Sequence, residues 1–112
     1  MRAIEYASNG EPAKVLRLVE KPVPEPRPGQ VLVRLQARPI NPSDLFQIRG
    51  QYGVQPRLPA VAGMEGAGTV AKLGAGVEQF APGEQVVSLA PVGTWQEYAV
   101  ADANALMAVP GT

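Results

Sequence analysis

Four prolines stand at every second position in Lys21-Pro22-Val23-Pro24-Glu25-Pro26-Arg27-Pro28-Gly29. Each fixes φ and removes a backbone donor, so this run can enter neither a helix interior nor the middle of a sheet. It reads as an extended connector or edge segment that ends in a Pro28-Gly29 turn. A proline-rich ligand for a recognition domain is the rival reading. The same punctuation pervades the chain, with twelve prolines and twelve glycines among 112 residues. That density breaks helices and favours short strands joined by turns.

Strand signals fill the intervals. Met1 to Ala7 reads as a first strand, Asn9-Gly10 as a hairpin-type turn, and Ala13 to Val19 as a second strand carrying Val15, Leu16 and Leu18. Gln30 to Ala37 is the clearest strand. Val31, Val33, Leu35 and Ala37 alternate with Leu32, Arg34, Gln36 and Arg38, the period-two pattern of a half-buried strand. Further strands are expected at Gly66–Leu73, Gln85–Leu89, Trp95–Val100 and Leu106–Val109. One short helix is expected after Asn41, a good N-cap, with Pro42 in its first turn, Leu45 and Ile48 on its apolar face, and Gly50 as its stop. The length suits one domain of the mainly β class, a small barrel or sandwich with one or two short helices.

Composition closes off whole branches of chemistry. There is no cysteine and no histidine. Disulfides, zinc–thiolate sites, cysteine nucleophiles, Ser-His-Asp triads and histidine proton shuttles are therefore excluded. The acids form no visible cluster for a carboxylate-only metal site. Ten basic residues balance ten acidic ones, so no electrostatic footprint for nucleic acid or an acidic membrane is present. No signal peptide or membrane-spanning run is visible, and the expected location is cytoplasmic.

Gly66-Ala67-Gly68-Thr69-Val70-Ala71 matches the loose form of a dinucleotide fingerprint. The residues that follow are too few and too glycine-rich for the helix that must receive a pyrophosphate. These glycines read as part of a strand.

Longer strings are specific. Asn41-Pro42-Ser43-Asp44, Gly63-Met64-Glu65-Gly66-Ala67-Gly68-Thr69-Val70, Leu73-Gly74-Ala75-Gly76-Val77 and Phe80-Ala81-Pro82-Gly83-Glu84-Gln85-Val86-Val87 occur in that order. From Met1 to Thr112 the chain resembles the N-terminal catalytic domain of the medium-chain dehydrogenase/reductase superfamily. That resemblance implies a GroES-like, partly open β-barrel. Zinc members of the superfamily carry histidine where this chain has Met64 and cysteine where it has Asn41. A thioether and a neutral amide do not replace imidazole and thiolate at zinc, so the resemblance is to the zinc-free branch and no metal is expected. Quinone reductases share the Asn-Pro-x-Asp motif. Mitochondrial-type 2-enoyl thioester reductases share it too, and they also match Gly50-Gln51-Tyr52-Gly53, Leu58-Pro59-Ala60-Val61-Ala62-Gly63 and Gly93-Thr94-Trp95. One departure is Met64, where the enoyl reductases have asparagine.

The resemblance implies that Tyr52 is the proton donor in reduction of an α,β-unsaturated thioester; on residues alone it is a half-buried loop tyrosine. Asn41 reads as a helix cap and, by the resemblance, as an amide near substrate or nicotinamide. Trp95 reads as a core or cleft-wall aromatic or a substrate contact. Asp44 reads as a first-turn acid favourable to the helix dipole. Glu65 reads as buried among small residues and in need of a partner such as Arg49. Arg27, Arg38 and Arg57 read as solvated loop arginines or as contacts for a carrier phosphate.

Members of the superfamily continue into a Rossmann-type cofactor domain, and this chain stops at Val109-Pro110-Gly111-Thr112. The chain is thus expected to be the substrate-side part, residues 1–112, with NADP(H) bound by a cofactor domain outside it and none bound by this chain alone. Isolated, it is expected to be inactive; the full-length protein is expected to be a homodimer. A quinone reductase domain and a non-enzymatic binding or assembly module on the same barrel stand as alternatives.

Overall fold

The computed structural model describes residues 1–110; Gly111 and Thr112, the end of the segment expected to lead toward a further domain, lie outside the described residues. Among the described residues, eight strands form two antiparallel sheets. The small one has the order β2-β1-β4, from Arg17–Glu20, Arg2–Tyr6 and Ala60–Val61. The large one has the order β7-β3-β5-β6-β8, from Tyr98–Asp102, Gln30–Ala37, Ala67–Leu73, Gln85–Ser88 and Leu106–Ala108. The Ile4 amide donates to the Trp95 carbonyl at 2.8 Å and Ala3 bridges Gln96, which ties the two sheets into a partly open barrel of the GroES-like kind.

The Gln30–Ala37 strand is central, paired with β5 on one side and β7 on the other. Val31, Val33 and Leu35 enter the main core with Val70, Val86, Phe80, Ala99 and Leu106. Burying each large aliphatic here is worth ~1.5–3 kcal/mol. The expected alternation holds only in part, because Leu32 is also buried and Ala37 is exposed.

The proline run is a connector packed on the barrel. Lys21 Nζ pairs with Glu5 and Lys72 Nζ with Glu25, each at 2.6 Å, while Gly29 donates to the Ala75 carbonyl at 2.9 Å. Gly68 lies on the strand β5, not on a nucleotide loop. A Cβ there would overlap the Arg34 main-chain carbonyl of β3. Only glycine permits that approach.

Two boundaries and one helix face depart from the sequence reading. Pro12–Val15 is one helical turn, α1, and the strand begins only at Arg17. Pro12 suits a first helical turn, and Lys14 and Val15 donate to the Glu11 carbonyl. The strand expected at Trp95–Val100 starts at Tyr98, because the Trp95 and Gln96 backbone is engaged by β1 and by Ala62. The helix α2, Pro42–Arg49, ends at Gly50 with φ 80°, as expected. Its buried face is Asp44, Gln47 and Ile48, with Leu45 only half-buried. No helix among the described residues is long and apolar enough to cross a membrane.

A second, smaller core under α2 holds Tyr6, Ile48 and Ala62, flanked by Val15, Leu16 and Trp95. The Tyr6 hydroxyl is buried with no hydrogen-bond partner, and burial pushes its pKa up.

Two outcomes are expected. Gly68→Ala destabilises by about 1–3 kcal/mol, because the obstacle is backbone, read as a lower urea midpoint. Tyr6→Phe leaves stability at pH 7 unchanged or up to about 1 kcal/mol higher, since no bond is lost. The unfolded phenol releases its proton near pH ~10, before the folded one, so the unfolded state then binds fewer protons and stability falls as pH rises past that value. Tyr6→Phe removes that part of the alkaline loss, measured by denaturation between neutral and alkaline pH.

Candidate active site

Three segments converge beside the N-terminus of α2: the strip Arg38–Asn41 after β3, the loop Gly63–Gly66 before β5, and Thr94-Trp95. Asp44 joins the first two. Its side chain is 1% exposed; Oδ2 accepts the Asn41 main-chain N–H at 2.8 Å and Oδ1 accepts the Met64 N–H at 3.0 Å. The first-turn position read as a helix-dipole acid is therefore a buried clamp between a helix and a loop.

Asn41 is half-buried. Its Nδ2 donates to Glu65 Oε2 at 2.6 Å. Glu65 was expected to be buried against Arg49. It is exposed, and Arg49 lies 3.6 Å from Glu11 instead. The small neighbours of Glu65 serve backbone packing and leave its side chain outside.

Trp95 forms the third side. Its Nε1 donates to the Pro39 carbonyl at 3.2 Å, and its main-chain N–H donates to the Ala62 carbonyl at 2.8 Å. Gly63 has φ +97°, and a Cβ there would overlap Trp95 Cδ1 and Thr94 Oγ1. Thr94 is fully buried, its Oγ1 without a partner. The Arg38–Asn41 strip separates two openings. A groove of about 540 Å³ is lined by Arg38, Ile40 and Trp95 together with Leu16 and Leu18; a cleft of about 570 Å³ is lined by Arg38, Pro39, Glu65 and Ser88. Arg38 is more than a solvated arginine, since its Nη2 donates to the Leu35 carbonyl at 2.9 Å.

Asn41 and Trp95 thus both meet the Arg38–Asn41 strip, Asn41 as its last residue and Trp95 through the Pro39 carbonyl. Tyr52 stands apart on the loop after α2. Its side chain is 40% exposed, its hydroxyl has no hydrogen-bond partner among the described residues, and it lines neither opening. That loop is tied to α2 by Gln47 Nε2, which donates to the Val54 carbonyl at 3.1 Å, and is braced within itself by Gln55 Nε2, which donates to the Tyr52 carbonyl at 2.6 Å. Sequence reading missed Asp44 as a clamp and Gln47 as a buried loop anchor. The signal available was a polar i, i+3 pair on the helix face that also carries Ile48.

The donor set does not fit zinc. Met64 offers a thioether, the Asn41 amide nitrogen is committed to Glu65, and among the described residues no group of three or more His, Cys, Asp or Glu side chains converges.

Removing the clamp has a measurable cost. Asp44→Ala leaves two N–H groups without their acceptor and is expected to destabilise by about 1–3 kcal/mol. Asp44→Asn retains an acceptor oxygen and is expected to lose less. Chemical denaturation of both variants checks the order.

Comparison with known proteins places this arrangement. Over 98% of its length the chain is 42% identical to the mitochondrial enoyl-[acyl-carrier-protein] reductase of Mus musculus, and it spans 30% of that relative. It superposes with a TM-score of 0.88 on a mycobacterial quinone oxidoreductase, 36% identical, covering 99% of this chain and 34% of the other. A mycobacterial protein solved in complex with NADPH gives 0.86 at 38% identity, with 99% and 33% covered. The chain spans about a third of the length of such relatives. The word mitochondrial belongs to the name of the mouse relative. Residues 27–111 match the family model described as the alcohol dehydrogenase GroES-like domain. The barrel, the order of its motifs and this match agree, and the chain belongs to that family, within the medium-chain dehydrogenase/reductase superfamily.

Proposed function

We propose that this chain is the substrate-side domain of a zinc-independent, NADP(H)-dependent oxidoreductase that reduces the carbon–carbon double bond of 2-enoyl thioesters. The observation that carries the reading is the pinned loop presenting the Tyr52 phenol, unpaired and accessible, in a chain whose curated relatives include enoyl-[acyl-carrier-protein] reductases. Reduced NADP(H), bound by a cofactor domain outside this chain, supplies the hydride to the β-carbon. The π electrons move to the α-carbon as enolate, and Tyr52 Oη delivers a proton there. Solvent then reprotonates the phenolate, which the exposure of the side chain allows. Trp95, held by Pro39, forms a wall of the groove, and Asn41 holds Glu65, which lines the neighbouring cleft. The working protein is proposed to be a homodimer, and the isolated chain inactive.

A quinone reductase is the second reading. It is favoured by the quinone oxidoreductase neighbour and by the distance of Tyr52 from both openings, since reduction of a quinone does not require that tyrosine.

The two readings separate in one experiment on the chain joined to a nicotinamide-binding domain. Tyr52→Phe is expected to lower kcat for a trans-2-enoyl thioester by roughly 10²–10⁴-fold, the usual range for a positioned acid. Quinone reduction intact beside that loss supports the enoyl reading; equal retention of both activities favours the quinone reading.

A further inference from the structure

The turn Asn9-Gly10-Glu11, a hairpin signal in the sequence, closes on the last turn of α2. Asn9 Nδ2 donates to the Ile48 carbonyl at 3.2 Å and lies 3.5 Å from the Gln47 carbonyl. The Gly10 main-chain N–H donates to the same Ile48 oxygen at 3.1 Å, and Glu11 pairs with Arg49 at 3.6 Å. The final carbonyls of a helix have no partner inside it. Here they are supplied from two directions. The turn is one; the Gly50 and Gln51 N–H groups are the other, donating to Gln47 at 3.0 Å and Phe46 at 2.8 Å. The fit is tight: Gly50 has φ +80°, and a Cβ there would stand 3.1 Å from Asn9 Cγ.

Gln47 carries the restraint onward. Its carbonyl lies under Asn9, and its buried side chain reaches the Val54 carbonyl. Tyr52 therefore sits between two held points, Gly50 and Val54. Its hydroxyl has no hydrogen-bond partner among the described residues, so no bond at the phenol itself corrects an error in the loop.

We infer that Asn9 is a positioning residue for Tyr52: it fixes the end of α2 from which the loop departs, and so the point from which the phenol delivers its proton. The inference rests on the proton-donor role of Tyr52 in the proposed function. Asn9→Asp keeps the shape of the side chain but loses the N–H donor, and it sets a negative charge at the carbonyl end of a helix, where anions are disfavoured. Asn9 is exposed and belongs to neither core, so the barrel tolerates the change.

The test uses the chain joined to a nicotinamide-binding domain, with a trans-2-enoyl thioester as substrate. Asn9→Asp is expected to lower kcat by roughly tenfold or more, the scale of a misplaced catalytic group, with KM within about threefold of the parent. In a Tyr52→Phe background the same change is expected to cost less than about twofold more, because residues that act as a unit are not additive. Amide hydrogen exchange at Gly50 and Gln51 is expected to rise roughly tenfold or more in Asn9→Asp, while Val31 and Val33 on the central strand keep the parent rate. Asn9→Ala, which removes the donor without adding charge, is expected to follow the same pattern with a smaller loss. A kcat loss of equal size with and without the Tyr52 hydroxyl, a loss carried by KM, unchanged exchange at Gly50 and Gln51, or a rise that extends to Val31 and Val33 would each overturn the inference. Tyr52→Phe alone judges the proposed reaction. If Tyr52→Phe is impaired and Asn9→Asp is fully active, the positioning role falls and the reaction stands; if Tyr52→Phe is fully active, both fall.

Discussion

Two hydrogen bonds to the buried Asp44 carboxyl hold the start of a helix to a distant loop, and the Asn41–Glu65 contact joins the same two segments at the surface. One oxygen takes the N–H of Asn41 at the start of α2, and the other takes the N–H of Met64 in the glycine loop. A backbone amide removed from water without an acceptor is costly, so each bond fixes its segment as well as satisfying it. With both segments set, Asn41 reaches Glu65 and the strip before it supplies the Pro39 carbonyl to Trp95. The groove and the cleft both border that strip.

The barrel supplies the rigid background for this arrangement. Its central strand is enclosed by neighbours on both edges, and close approach at Gly68 lets β3 and β5 pack backbone to backbone. Gly63 plays a related part at the site. Its left-handed φ and missing Cβ admit the Trp95 ring, so that the family's glycine-rich strings are best understood as space for neighbouring atoms and not as phosphate cradles. The loop bearing Tyr52 is fastened differently, by side-chain amides of Gln47 and Gln55 to main-chain carbonyls. Polar anchoring of this kind leaves the phenol accessible while restraining the loop beneath it.

Much of the secondary structure was legible because it is local. The proline connector, the strand Gln30–Ala37 and the helix bounded by Asn41 and Gly50 follow from fixed φ, period-two patterning and capping chemistry. Legibility failed where a local preference competed with a distant partner. Ala13–Val15 coils because Pro12 favours a first helical turn, and Trp95-Gln96 leave β7 because β1 claims their backbone.

The sequence by itself determined the chemistry that the chain can perform and the family it joins. Lacking histidine and cysteine, it cannot present the usual zinc ligands, and residue types do not change on folding. The motif order was likewise a property of the string. Only the tertiary structure decided which polar groups meet. Glu65 lies twenty-four residues beyond Asn41 and Met64 twenty residues beyond Asp44, and no local rule pairs residues at those separations. Whether a carboxyl is a surface charge or a buried clamp depends on the elements that close over it, and those elements come together only when the barrel forms.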